Sequence, residues 1–202
     1  MAASLIIDFE TLSQNPINGA LVSCALLTFE MDTLLVNGYT YEELLSKVEY
    51  FKFEVKSQVT NWNRRIDPKT LEWWKQQSKD ALDSIKPSEE DKQLTEFIPW
   101  LVSHFNRDKL DYIFSRNNTF DPVIVQSICS DLNLPLPYDW WKIRDTKSFI
   151  MGLTYTANIK DNFIPAEAEN KYVTHDPRHD VVLDVMRMQT LLFYKFGEQN
   201  VP

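Results

Sequence analysis

Apolar residues in this chain gather in short runs separated by turn-forming residues. Ser4 to Asp8 carries Leu5, Ile6 and Ile7 in a row and predicts a short buried strand. Asn15-Pro16 and Asn18-Gly19 mark a turn, and Ala20 to Phe29 is a second apolar run. Two such runs so close together predict an antiparallel hairpin with a long loop. From Tyr50 to Val55, Phe51, Phe53 and Val55 alternate with Lys52 and Glu54, the period of a half-buried strand. Asp67-Pro68 then opens a helix carrying Leu71, Trp73 and Trp74, and the acidic stretch Ser88 to Asp91 predicts another helix start. Leu94, Ile98, Leu101 and Phe105 follow at helical spacing, with Pro99 inside the run as a candidate kink.

Tyr112-Ile113-Phe114 predicts a buried strand, and Asp121-Pro122 opens a helix with Val125, Ile128 and Leu132 on one face. Trp140 to Asp145 reads as a further strand, Thr146 to Leu153 as a helix, and about His179 to Tyr194 as the last helix. An early antiparallel meander followed by alternating helices and strands predicts an α/β fold, a mixed sheet flanked by helices.

The bulk properties narrow the picture without changing it. A chain of 202 residues with 44% hydrophobic positions has material for one well-packed domain, expected to span 1–202 with nothing appended. No apolar run nears the roughly 20 residues of a membrane span, and neither a basic leader nor a cleavage site opens the chain. Cys24 and Cys129 lie in apolar segments without CxxC spacing, so they read as core residues in a reducing cytoplasm. A net charge of −8 argues against coating nucleic acid through Lys and Arg. It leaves room for an enzyme that grips a strand end through bound cations.

Several acids sit where acids are awkward. Asp8 and Glu10 are two apart on a strand and share one face, which lets them share a metal ion. A solvent-facing pair at a strand end is the plainer alternative. Asp121 reads first as a helix cap ahead of Pro122, a role compatible with facing a metal. Asp184 falls on the inward stripe of Val181, Val185, Met188, Leu191 and Leu192, where it needs a metal, a buried salt bridge or an internal hydrogen bond. His179 lies five residues earlier, about 140° away on a regular helix. The two converge only if His179 sits at the loop-to-helix junction, which Pro177 favours. His175 reads at most as a neighbour of the site. The pair Trp73-Trp74 stands beside Arg64, Arg65, Lys69 and Lys75, with one ring able to stack on a base while the other packs inside.

Together these segments resemble the DEDDh 3′–5′ exonucleases of the RNase H-like (DnaQ-like) superfamily. Asp8-Phe9-Glu10-Thr11 is similar to the first motif, Asn117 to Asp121 to the second, and His179-x4-Asp184 to the third. Thr70 to Ser78, Trp141 to Thr146 and His175 to Asp180 resemble the phage exodeoxyribonuclease A group and related 3′–5′ exoribonucleases. The resemblance implies an RNase H-like mixed sheet of five to six strands. It implies metal ligation by Asp8, Glu10, Asp121 and Asp184, with His179 as general base and two Mg²⁺ or Mn²⁺ ions. Thr11, Leu12, Asn117, Phe120, Trp73 and Trp74 are the expected substrate contacts. The expected activity releases nucleoside 5′-monophosphates from single-stranded 3′ ends. DNA is expected ahead of RNA; a non-catalytic nucleic-acid-binding module is the alternative in another class. No membrane partner is expected, and a homodimer stays open.

Overall fold

The structure is a computed structural model in which residues 3–155 and 159–196 are described. Both ends of the 1–202 span expected for one domain lie outside the described residues. Strands β1 (Ala3–Thr11), β2 (Leu21–Phe29), β3 (Glu49–Lys52), β4 (Leu110–Ser115) and β5 (Ile143–Asp145) form one sheet in the order β3-β2-β1-β4-β5. The β1–β2 and β2–β3 pairs are antiparallel, whereas β4 lies parallel to both β1 and β5. The sheet is therefore mixed, as the element order predicts.

Side-chain alternation along β1 sorts the two layers. Leu5, Ile7 and Phe9 pack on α6 (Leu94–Ser103) and α7 (Asp121–Asp131), through Phe97, Leu101, Val125 and Ile128. Ile6, on the opposite face, packs with α1 (Met31–Val36), α2 (Tyr41–Ser46), α8 (Thr146–Thr154) and α9 (Pro177–Phe196). The first layer is rich in aromatics. Phe97 meets Phe9, Phe51, Phe53 and Trp100 at centroid distances of 5.2 to 5.6 Å. Removing a fully buried aromatic leaves a cavity that close-packed neighbours only partly fill. We expect Phe97→Ala to destabilise the fold by roughly 3–5 kcal/mol. A lower urea midpoint at unchanged slope reports this; an unmoved midpoint contradicts the packing described.

Several boundaries differ from those the pattern predicts. The helix expected to start at Ser88 begins at Leu94, where the Gln93 amide donates to the Glu96 carboxylate at 2.7 Å. Ser88 and Asp91 instead bond to one another and close a turn. Strand β3 stops at Lys52, because Glu54 caps α3 (Val55–Asn61) by accepting from the Lys56 and Ser57 amides. Residues Trp140–Lys142 form a 3-10 turn, leaving only Ile143–Asp145 in the sheet. The short helices α1, α2, α3 and α5 (Lys79–Ser84) carry too few turns for a periodic signal. Helix α6 runs through Pro99. The buried Arg64 ties the β1–β2 loop to α7 by donating to the Gly19 carbonyl, Ser127 and Asp131.

Candidate active site

The site forms where β1 outruns its parallel neighbour. Pairing between β1 and β4 ends at Ile6 and Phe114, while β1 continues to Thr11 beside β2. The gap is a crevice at the carboxyl ends of β1 and β4, the usual place for a site in an open α/β sheet. Asp8 and Glu10 continue the Ile6 face into it. They line a cleft of about 540 Å³ with Arg116, His175, Asp180 and Asp184.

Asp121 enters from the first turn of α7. It does not cap that helix: Phe120 holds the cap position, and the Asp121 carboxylate turns to β1, accepting from the Phe9 amide at 3.1 Å. That bond inserts Asp121 at the strand backbone between Asp8 and Glu10. Asp180 arrives from the first turn of α9. Its carboxylate accepts from the His175 amide at 3.1 Å, and His175 itself has the left-handed φ of 64°. Glu10, His175 and Asp180 bring ligating atoms within 4.8 Å of one another.

These acids disturb one another. Burial, then Asp121 and Asp180, raise Asp8 well above the ordinary carboxylate range. Burial and the same two acids raise Glu10. Burial lifts Asp121 to about 7 despite the Phe9 amide, and burial with Asp184 lifts Asp180 to about 7. Among the described residues no ion pair reaches Asp8, Glu10, Asp121 or Asp180; the nearby arginines are engaged elsewhere. A buried acid cluster without such partners is a site built for cations, and hard divalent ions suit its oxygen donors.

The third expected motif lands in a different register. Asp184 is buried, as its stripe predicts, but it takes the salt-bridge alternative. Arg116 and Arg187 donate to its Oδ1 at 2.5 and 2.7 Å. His179 is turned toward α2, with Nδ1 at 2.5 Å from the Tyr41 hydroxyl, and does not line the cleft. His175 and Asp180, not His179, stand beside Glu10 in the cleft. The sequence carried a signal for them, since His175-x4-Asp180 repeats the spacing of His179-x4-Asp184 four residues earlier. Burial lowers the His175 pKa, which keeps its imidazole neutral near pH 7.

A second cavity of about 310 Å³ adjoins the cleft and shares Phe9 and Glu10 with it. Of the expected substrate contacts, Thr11, Phe120 and Trp73 line it. Trp74 does not: it is buried on α4 (Pro68–Trp74), its Nε1 donating to the Thr11 carbonyl at 3.0 Å. Leu12 serves through its backbone, which pairs with Ala20 and Asp67. Asn117 shapes the turn before α7, accepting from the Thr119 amide and hydroxyl.

A five-stranded mixed sheet with helices on both faces and acids at the end of its central strand defines an RNase H-like exonuclease. A family model described as the 3′–5′ exoribonuclease Rv2179c-like domain matches residues 3–189, and the chain belongs to that family. The exodeoxyribonuclease of Enterobacteria phage T4 is 29% identical over 214 residues, covering 98% of this chain and 92% of that protein. The zinc-bound E. coli exonuclease I complex with single-stranded DNA aligns over 99% of this chain and 42% of its own, with a TM-score of 0.61 and 15% identity. Apo exonuclease I aligns over 99% and 45%, with a TM-score of 0.60 and 16% identity. The chain thus spans less than half the length of those exonuclease I chains, and at this identity the likeness is one of fold.

Proposed function

We propose that the protein is a divalent-metal-dependent 3′–5′ exonuclease that shortens single-stranded DNA to nucleoside 5′-monophosphates. The observation that carries this is the convergence of Glu10, His175 and Asp180 within 4.8 Å in a cleft of cation-deficient acids. Asp8, Glu10, Asp121 and Asp180 would hold two Mg²⁺ or Mn²⁺ ions. When bound, such ions offset the carboxylate charge and polarise the scissile phosphodiester.

His175 acts as general base, taking the proton of the attacking water. Its neutral imidazole has a free lone pair at working pH, and its amide is fixed to Asp180. The Phe9 amide holds Asp121 in one orientation. Thr11, Phe120 and Trp73 receive the terminal nucleoside beside Glu10, so that the bond to be cut faces the acids. DNA as substrate is supported by the phage exodeoxyribonuclease, which covers nearly the whole chain. RNA ends are the second reading, favoured by the description of the family. Among the described residues no helix is long and apolar enough to cross a membrane. The phage relative supports a host cytoplasm as the setting.

An end-labelled oligonucleotide assay tests this directly. Single- and double-stranded DNA and RNA are incubated with Mg²⁺, Mn²⁺ or EDTA. We expect 5′-labelled single-stranded DNA to shorten as a ladder, a 3′ label to leave as a mononucleotide, and EDTA to stop both. Cleavage that persists in EDTA, or intact 3′ ends in both metals, would overturn the reading. Faster loss of RNA would move the substrate to the second one.

A further inference from the structure

His175 packs against a frame of two tryptophans. The Trp73 ring stands edge-to-face with the imidazole, centroids 4.7 Å apart and planes at 75°. Behind it Trp74 lies 6.3 Å from the same imidazole at 78°, and the two indoles are 5.1 Å apart. Their surroundings differ. Trp74 is 2% exposed and pinned to the Thr11 carbonyl, so it is part of the scaffold. Trp73 is 40% exposed and also forms a wall of the second cavity, with Thr11, Thr70 and Phe120. One indole thus touches the imidazole and faces the space next door.

The backbone makes that contact consequential. At φ 64° His175 occupies a region that non-glycine residues adopt uncommonly and that persists only when neighbours determine it. Its amide is tied to Asp180, but the direction of the imidazole depends on what packs against the ring. Two indoles, Trp73 and Trp74, pack against the ring, while a ring nitrogen lies within 4.8 Å of carboxylate oxygens of Glu10 and Asp180. Trp73 is the half-exposed one of these two indoles, so an occupant of the second cavity that restricts it changes the packing on that side of the imidazole.

We propose that Trp73 is a positioning residue that couples the base of the 3′-terminal nucleotide to His175: a base stacked on its exposed part fixes the indole, and the indole fixes the imidazole. The inference rests on the exonuclease reading and deepens it. It explains why an aromatic half-exposed to solvent stands against the ring of the general base. An end lacking a base binds but leaves His175 poorly directed.

The test compares two oligonucleotides identical but for the 3′ terminus, one an ordinary nucleotide and one abasic. In the parent enzyme we expect the abasic end to lower kcat about tenfold, the scale of an aromatic contact converted to rate. Trp73→Ala should lower kcat about tenfold on the ordinary end, with no further loss on the abasic end, and Trp73→Phe should restore most of the difference. Losses that multiply would show two independent effects and overturn the coupling. A rise in KM with kcat unchanged would reduce Trp73 to a stacking surface, and that too overturns it.

A second measurement needs no turnover. The chain has three histidines, so the His175 imidazole is readily followed by NMR with labelled histidine. A nucleoside 5′-monophosphate should shift its resonance in the parent by more than deoxyribose 5-phosphate does, and Trp73→Ala should lose that base-dependent part. Equal shifts with both ligands, or an unchanged response in Trp73→Ala, overturn the proposal. If ordinary 3′ ends are not shortened at all, the exonuclease reading fails, and the NMR result still decides whether the cavity and His175 are coupled.

Discussion

His175→Ala and Asp180→Ala are each expected to lower 3′-end hydrolysis by roughly 10³-fold, while His179→Ala and Asp184→Ala stay within about tenfold of the parent. The first pair brings ligating atoms within 4.8 Å of Glu10. A positioned general base is worth roughly 10² to 10⁴ in rate, and charge stabilisation by a metal several kcal/mol, which is about 10³-fold. His179 is bonded to Tyr41, and Asp184 is held by Arg116 and Arg187. Asp184→Ala should instead cost stability. Burial on a repelling acid stripe alone would make its removal a relief. Its pairing reverses the sign, because Arg187 is 8% exposed and would be left without its acid. Breaking a buried pair costs roughly 3–5 kcal/mol, and each kcal/mol moves Tm by roughly 2–4 °C in a chain of this size. A drop of about 10 °C with activity retained is therefore the expected signature of Asp184→Ala. Loss of activity in Asp184→Ala at full stability, with Asp180→Ala active, would return the site to the later register.

Without metal, the protein should lose stability as pH rises from 5 to 8, and Mn²⁺ should return it. The folded-state pKa values of Asp121 and Asp180 are raised from 3.8 to about 7. The folded protein therefore keeps protons that the unfolded chain has already released across that window. Stability falls with pH wherever the folded state binds more protons, so this contribution is present near pH 4 and lost by about pH 7. Because these acids titrate as a coupled set, the loss belongs to the cluster and should appear as a Tm that falls steadily between pH 5 and 8. A divalent cation binds only the folded site. At a hundred times its Kd it adds about 2.7 kcal/mol, or roughly 5–11 °C. Near pH 5 the same cation competes with protons and should add much less. Thermal melts in EDTA and in Mn²⁺ from pH 5 to 8 read both effects. A flat EDTA series, or a metal shift as large at pH 5 as at pH 8, contradicts a cation-deficient acid cluster.

Much of this site was legible in one dimension because strand geometry is local. Asp8 and Glu10 share a face on any strand, and the apolar run before them marked that strand as buried. The Asp121-Pro122 helix start was equally local, but the partner of Asp121 was not. Whether its carboxylate caps its own helix or bonds the Phe9 amide depends on how close α7 lies to β1. The Trp73-Trp74 pair shows the same division. Helical neighbours must point apart, so one buried and one exposed ring was foreseeable. That Trp74 would be the buried one was set by the end of β1, where it donates to the Thr11 carbonyl.

The two registers of the last motif mark where the sequence stopped. The chain contains His-x4-Asp twice, and the inward stripe of α9 drew attention to Asp184 as the acid most in need of a partner. It has that need and meets it with Arg116 and Arg187, from β4's far end and from its own helix. Asp180 sits at the helix start, where periodicity carries least information, and faces the cleft. The sequence by itself determined the sheet class, the three acids Asp8, Glu10 and Asp121, and the presence of a histidine and acid pair at the start of α9. Tertiary structure alone decided which pair lies beside Glu10, because charge compensation is a property of neighbours brought from distant segments, and spacing along one helix cannot say which acid an arginine reaches.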